Sequence, residues 1–150
     1  THLLLQNEIP WSSTIHALRT VESTTLTFFN PSPMPSPSQL RELPWSAVNW
    51  LIVNEGEAQS LFDALRGEVV DSEEALSRAH LLLESLRALP GFSSSVGLVC
   101  TLGSLGVMVL PSGSVKAIYV PALKLNRPVV DTTGAGDCFT GYFVAGFMKH

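Results

Sequence analysis

Apolar residues in this chain fall into two kinds of pattern, and the alternation between them sets the fold. Short apolar runs at 3–6, 50–53 and 96–101, rich in Leu, Val and Ile, and a β-branched and aromatic run at 24–29 read as strands, none with clean polar alternation, as in a sheet covered on both faces. Between them the spacing turns helical. Ile15, Leu18 and Val21 or Glu22 follow Ser12-Ser13-Thr14, whose side chains can cap, and predict a helix ending near Ser23. Positions 57–65 predict a short helix. Leu76, Ala79, Leu82, Leu83 and Leu86 mark a longer one over 75–89, opened by Asp71-Ser72-Glu73-Glu74 on its positive dipole end and closed by Pro90-Gly91. Positions 106–110 and 115–120 flank Pro111-Ser112-Gly113-Ser114 and predict a β-hairpin. A last apolar helix is expected over 138–149.

Strands alternating with helices in this way predict an α/β domain, an open and mostly parallel sheet with helices on both faces. Prolines at alternate positions in Asn30-Pro31-Ser32-Pro33-Met34-Pro35-Ser36-Pro37 cannot donate to a ladder. That stretch reads as an ordered or polyproline II loop, a β-to-α connection in preference to a domain linker. Ligands of such sheets gather where strand C-termini open into loops. Asn30, Asn54, Gly103 and the loop beginning at Asp131 are therefore expected along one edge.

Composition narrows the class of function. The chain has 150 residues, about one domain's worth, with 45% hydrophobic and 15% charged residues, which argues for one packed core. Thirteen acidic residues against nine basic ones give a formal charge of −4, so no basic field exists to attract nucleic acid. Cys100 and Cys138 have no CxxC spacing, and His2, His16, His80 and His150 are scattered, so neither a disulfide framework nor a zinc site is indicated. Apolar runs are too short for a membrane span. A soluble, cytoplasmic protein with no membrane partner is the expectation. The chain opens on Thr1 and closes on Lys149-His150 inside a helical pattern, and so reads as a piece of a longer protein.

Chemistry concentrates in Asp131-Thr132-Thr133-Gly134-Ala135-Gly136-Asp137. Small residues ahead of a helix let backbone N–H groups come close to an anion, and a helix beginning at Gly136 or Asp137 would add its positive end. Asp137 has two readings on the residues alone: a stabiliser of the helix start, or a general base beside a phosphate. Asn54 and Glu57 have the spacing of a capping box. Thr101, Gly103 and Gly106 are explained by a turn, or by a backbone surface for a flat ligand. Trp11, Trp45 and Trp50 read as core residues, since no basic residues interleave with them. Neither GxxxxGK[ST] nor GxGxxG occurs, which disfavours P-loop NTPases and dinucleotide dehydrogenases.

Residues 131–137 followed by Cys138-Phe139 resemble the C-terminal signature of the ribokinase-like (PfkB) sugar kinases, DTxGAGD then x-F. The order of other features resembles that family too: 3–6 with nearby Glu8, Asn30-Pro31-Ser32-Pro33, Asn54-Glu55-Gly56-Glu57-Ala58 and Thr101-Leu102-Gly103-Ser104-Leu105-Gly106. The likeness spans nearly the whole chain. It implies a ribokinase-like fold, here the nucleotide-side C-terminal part of a kinase domain, without the N-terminal part, the lid and the C-terminal end. It implies transfer of the ATP γ-phosphate to a sugar hydroxyl, with ribose to ribose 5-phosphate the expected reaction and a fructose, ketohexonate or nucleoside kinase the alternative. By the resemblance Asp137 would be the base, and the N–H groups of Gly134, Ala135 and Gly136 would steady the transferred phosphoryl. Asn54 and Glu57 would hold the magnesium–phosphate region, Glu57 through water, which reverses the capping preference while allowing both roles. Thr101, Gly103 and Gly106 would face ATP, and Asp131 and Thr133 would bind a monovalent cation such as potassium. A homodimer of the full-length protein is a further expectation of the same kind. A truncated, non-catalytic nucleotide-binding or scaffold domain, and a flavodoxin-like binding module, stand as readings of other classes.

Overall fold

The apolar runs form one mixed sheet in the computed structural model, which describes residues 1–66, 74–90 and 92–149. Strands β1 (His2–Gln6), β2 (Leu26–Asn30), β3 (Trp50–Asn54) and β4 (Gly97–Thr101) are parallel neighbours in chain order. Antiparallel β5 (Gly106–Leu110) and β6 (Ile118–Pro121) complete the six-stranded order. The helices are α1 (Trp11–Thr20), α2 (Pro37–Glu42), α3 (Glu55–Arg66), α4 (Ala75–Ala88) and α5 (Ala135–Met148).

Adjacent side chains on each strand point to opposite faces, and here both faces are apolar. Phe29, Leu51, Val53, Leu98 and Cys100 join Leu18 of α1, Leu40 of α2, Leu61 of α3 and Leu82 of α4 in one core. Phe28, Ile52 and Val99, on the other face, meet Val144 of α5. Crossovers of one hand between parallel strands that step in one direction land on one face, which is why α1 to α4 share a side. α5 covers the opposite side with an aromatic edge: Phe143 lies 5.3 Å from Trp50 and Phe147 lies 5.3 Å from Phe28, ring to ring. Among the described residues the helices are thus on both faces, as expected, but divided four to one.

Several expected boundaries move. α1 starts at Trp11 after Pro10 and ends at Thr20, so Ser12, Ser13 and Thr14 lie inside its first turn and cap nothing; the Pro10 carbonyl accepts from Ser13 N at 2.8 Å. α3 begins at Glu55, and β6 is shorter than the 115–120 run. α5 begins at Ala135, with Gly134 at its N-cap in the left-handed region, φ 73°. Asp71, Ser72, Glu73, Gly91 and His150 lie outside the described residues; Glu74 precedes α4 without a side-chain cap. The proline-rich stretch is an ordered connection. Asn7 donates to Ser32 O at 3.2 Å and to Pro33 O at 2.7 Å, and Ser36 forms a reciprocal capping box with Gln39 at the start of α2. Trp45 is buried, its indole N–H on Leu40 O, while Trp11 and Trp50 pack against the two cores. Among the described residues no helix is long and apolar enough to cross a membrane.

Candidate functional site

Each parallel strand ends in a polar residue: Gln6 on β1, Asn30 on β2, Asn54 on β3 and Thr101 on β4. The register places Gln6 beside Asn30 and Asn54 beside Thr101. Over this edge α5 arrives from the opposite face. A cavity of about 90 Å³ there is lined by Asn30, Asn54, Glu57, Thr101, Gly136, Asp137 and neighbours that include Ser32 and Thr140. Of the residues expected along one edge, Asn30, Asn54 and, from the 131–137 segment, Gly136 and Asp137 do line this cavity.

Two helix N-termini meet at this cavity, those of α3 and α5, and each carries partial positive charge suited to an anion. α3 is closed by its own residues. Glu57 N donates to Asn54 Oδ1 at 2.8 Å and Asn54 N donates to Glu57 Oε2 at 2.9 Å, a complete capping box. α5 has no side-chain cap. Ala135 N donates to Thr132 O at 3.1 Å and Cys138 N to Gly134 O at 2.9 Å, whereas the N–H groups of Gly134, Gly136 and Asp137 have no partner among the described residues. Of the three amides expected to face a phosphoryl group, Ala135's is therefore engaged in its own turn. A Cβ at Gly136 would meet nothing within 4 Å. Helix propensity alone would prefer Ala there, so packing within the described residues does not demand this glycine.

Asp137 does not fold back on its own helix. Its Oδ1 accepts from Gln6 Nε2 at 2.9 Å, and Gln6 Nε2 also stands 3.5 Å from Asn30 Oδ1. Sequence reasoning missed Gln6, Ser32 and Thr140. A polar residue closing an apolar strand was the available signal for Gln6, but its partner lies at the far end of the chain.

Gly103 and Gly106 do not line this cavity. Gly103 occupies a 3-10 turn with φ 57°. Gly106 has φ 119°, and a Cβ there would stand 2.2 Å from Val120 O, so the hairpin itself requires glycine. Asp131 and Thr133 are also apart from it. Asp131 Oδ1 accepts from Thr133 N and from Thr133 Oγ1, each at 2.8 Å, and these bonds hold its carboxyl below the usual range. Below α3, burial pushes the Cys100 thiol up to about 12, with the charges of Glu55 and Glu57 adding to it.

The donor set bears on the metals. Magnesium keeps much of its water and is commonly held by one or two carboxylates plus substrate phosphates. The cavity offers Glu57 and Asp137, and among the described residues no cluster of three or more His, Cys, Asp or Glu side chains could grip an ion unaided. That donor set fits an ion that arrives with a nucleotide. Asp131 and Thr133 by themselves supply too few oxygens for a potassium shell.

An open sheet whose carboxyl edge receives two helix N-termini defines an α/β protein with a crevice at the strand ends. Residues 5–150 match the family described as pfkB family carbohydrate kinase, and the chain belongs to that family. It is 29% identical over 143 residues to a ribokinase of Dictyostelium discoideum, covering 94% of this chain and 44% of the relative. A crystal structure of ribokinase from Cryptococcus neoformans in complex with ADP superposes with TM-score 0.90 at 46% identity, over 99% of this chain and 48% of that one. The fold is shared with an adenosine kinase of Anopheles gambiae, TM-score 0.73 at 21% identity, over 99% and 44% of the two chains. The chain spans less than half the length of these relatives.

Proposed function

We propose that this chain is the nucleotide-side part of a larger kinase domain that moves the ATP γ-phosphoryl group to a sugar hydroxyl, with ribose as acceptor and ribose 5-phosphate as product. The observation that carries this reading is the start of α5, which has no side-chain cap and, among the described residues, no partner for the N–H groups of Gly136 and Asp137 on one cavity. Both ribokinases named above support the choice of ribose, and ADP in one of them supports the nucleotide. The N–H groups of Gly134 and Gly136 hold the oxygens of the phosphoryl group in flight, where charge develops and fixed donors matter most. Asp137 takes the proton as the sugar oxygen attacks phosphorus in line and ADP leaves. Glu57, acting through water and beside Asn54, would hold magnesium at the phosphates, where the ion would supply charge neutralisation. Thr101, and further out Gly103 and Gly106, offer backbone to the nucleotide side. Asp131 and Thr133 are proposed as part of a monovalent cation site completed by residues elsewhere in the protein.

The test is coupled ADP release from the complete kinase domain with ribose, fructose, ketohexonates and adenosine in separate assays. Ribose-dependent release that vanishes in Asp137→Asn supports the reading. Release with adenosine alone would reassign the acceptor, and no release with any acceptor would leave a nucleotide-binding domain without transfer.

A further inference from the structure

The hydrogen bonds behind Asp137 have a direction. Asn30 is buried, and its Nδ2 donates to the Ile52 carbonyl at 2.8 Å, a group that can only accept. That contact turns Asn30 Oδ1 toward Gln6, its register neighbour on β1, and so favours the orientation in which Gln6 presents Nε2. Gln6 Nε2 then donates to Asp137 Oδ1 at 2.9 Å. An ionised carboxylate is acceptor-only, so this row of amides is matched to the form of Asp137 that can take a proton. It also secures one oxygen and leaves Oδ2 for other work. Glu57, at the equivalent place in α3, has its carboxylate held by its own cap instead.

We infer that Gln6 is a positioning residue for the Asp137 carboxylate, fixed in turn by Asn30 across the ends of β1 and β2. The inference rests on the assignment of Asp137 as the base. Sugar and phosphate need not touch Gln6; its work is to keep Oδ2 on the line of the acceptor hydroxyl, where small misplacements are costly in rate.

The experiment uses the complete kinase domain and four proteins: the parent, Gln6→Met, Asp137→Asn and the double variant. Gln6→Met keeps the length of the side chain and removes the donor. It is expected to lower kcat by about ten- to a hundredfold, the range of one hydrogen bond to a charged group, with the KM for ATP little changed. In the Asp137→Asn background the same change is expected to cost almost nothing, because the two residues act as one unit. Equal losses in both backgrounds, or an unchanged kcat in Gln6→Met, would overturn the positioning role. Full turnover in Asp137→Asn would instead overturn the base assignment, so the two failures are distinct. Should Gln6→Met fold poorly by its melting curve, Gln6→Glu, which keeps length and polarity but sets an acceptor against Oδ1, gives the same reading.

Discussion

α3 and α5 both begin with glycine at their second residue and an acid at their third, Gly56 and Glu57 in one helix, Gly136 and Asp137 in the other. Both N-termini reach the same cavity. In α3 the preceding residue is Asn54, and its side chain and Glu57 satisfy each other's backbone. In α5 the preceding residue is Gly134, which has no side chain to offer, and Asp137 turns to Gln6 on β1. A capped start gives a stable helix and a fixed carboxylate. An uncapped start keeps donors available to a ligand, at some loss of helix stability. One end is closed by its own side chains, and the other leaves the open donors that the proposed phosphoryl site requires.

The sharpest break of this comparison is Asp137→Asn. It is expected to lower kcat by about a hundred- to ten-thousandfold, the usual worth of a positioned general base, while nucleotide affinity by calorimetry stays close to the parent's. Next comes Gly136→Ala. Its Cβ has open space within the described residues, so melting temperature should hold or rise slightly, as Ala replaces Gly in a helix. Turnover should nevertheless fall by about tenfold or more if the phosphoryl group approaches the Gly136 N–H as proposed, since the added methyl would crowd that approach. A loss of stability with unchanged rate would mean that the glycine serves packing after all.

On the capped side the expected order of effects is reversed. Asn54→Ala removes the cap and should cost about 1 kcal/mol of stability, read by denaturant unfolding. Glu57→Gln keeps a side chain able to complete the capping box and removes its charge. Its melting temperature should match the parent's, while the magnesium concentration for half-maximal rate rises. A lower melting temperature with an unchanged magnesium titration would confine Glu57 to the cap. The smallest effect concerns Cys100, whose thiol is pushed up to about 12. Between the ordinary thiol range and that value the unfolded chain binds fewer protons than the folded one, so stability declines as pH rises through this window and is complete below it. Cys100→Val should flatten that part of the decline, measured by unfolding at pH 8 and pH 10.

Much of this was legible in the sequence because it is local. Apolar runs, and for β2 a β-branched and aromatic one, marked the strands, since a sheet covered on both faces lacks a clean polar alternation, and Phe28 and Phe29 do serve opposite cores. Asn54 and Glu57 were readable as a cap from spacing alone. The start of α5 was placed too late, because a glycine N-cap lacks the hydroxyl or carboxyl that marks a helix start. Ser12, Ser13 and Thr14 misled for the opposite reason: good capping side chains stand inside a helix that Pro10 opens. The Gln6 contact required knowing that β1 pairs with β2 and that α5 crosses above them, which no local pattern encodes. The need for glycine at 106 comes from Val120 in a neighbouring strand.

The central claim is that the uncapped end of α5 receives the phosphoryl group in flight. Crystallography of the complete kinase domain with ADP, aluminium fluoride and ribose addresses it directly. The fluoride is expected within about 3 Å of the Gly136 N–H, with Asp137 Oδ2 on the acceptor hydroxyl and Oδ1 still on Gln6. Fluoride bound away from α5, or Asp137 turned from the sugar, would contradict it.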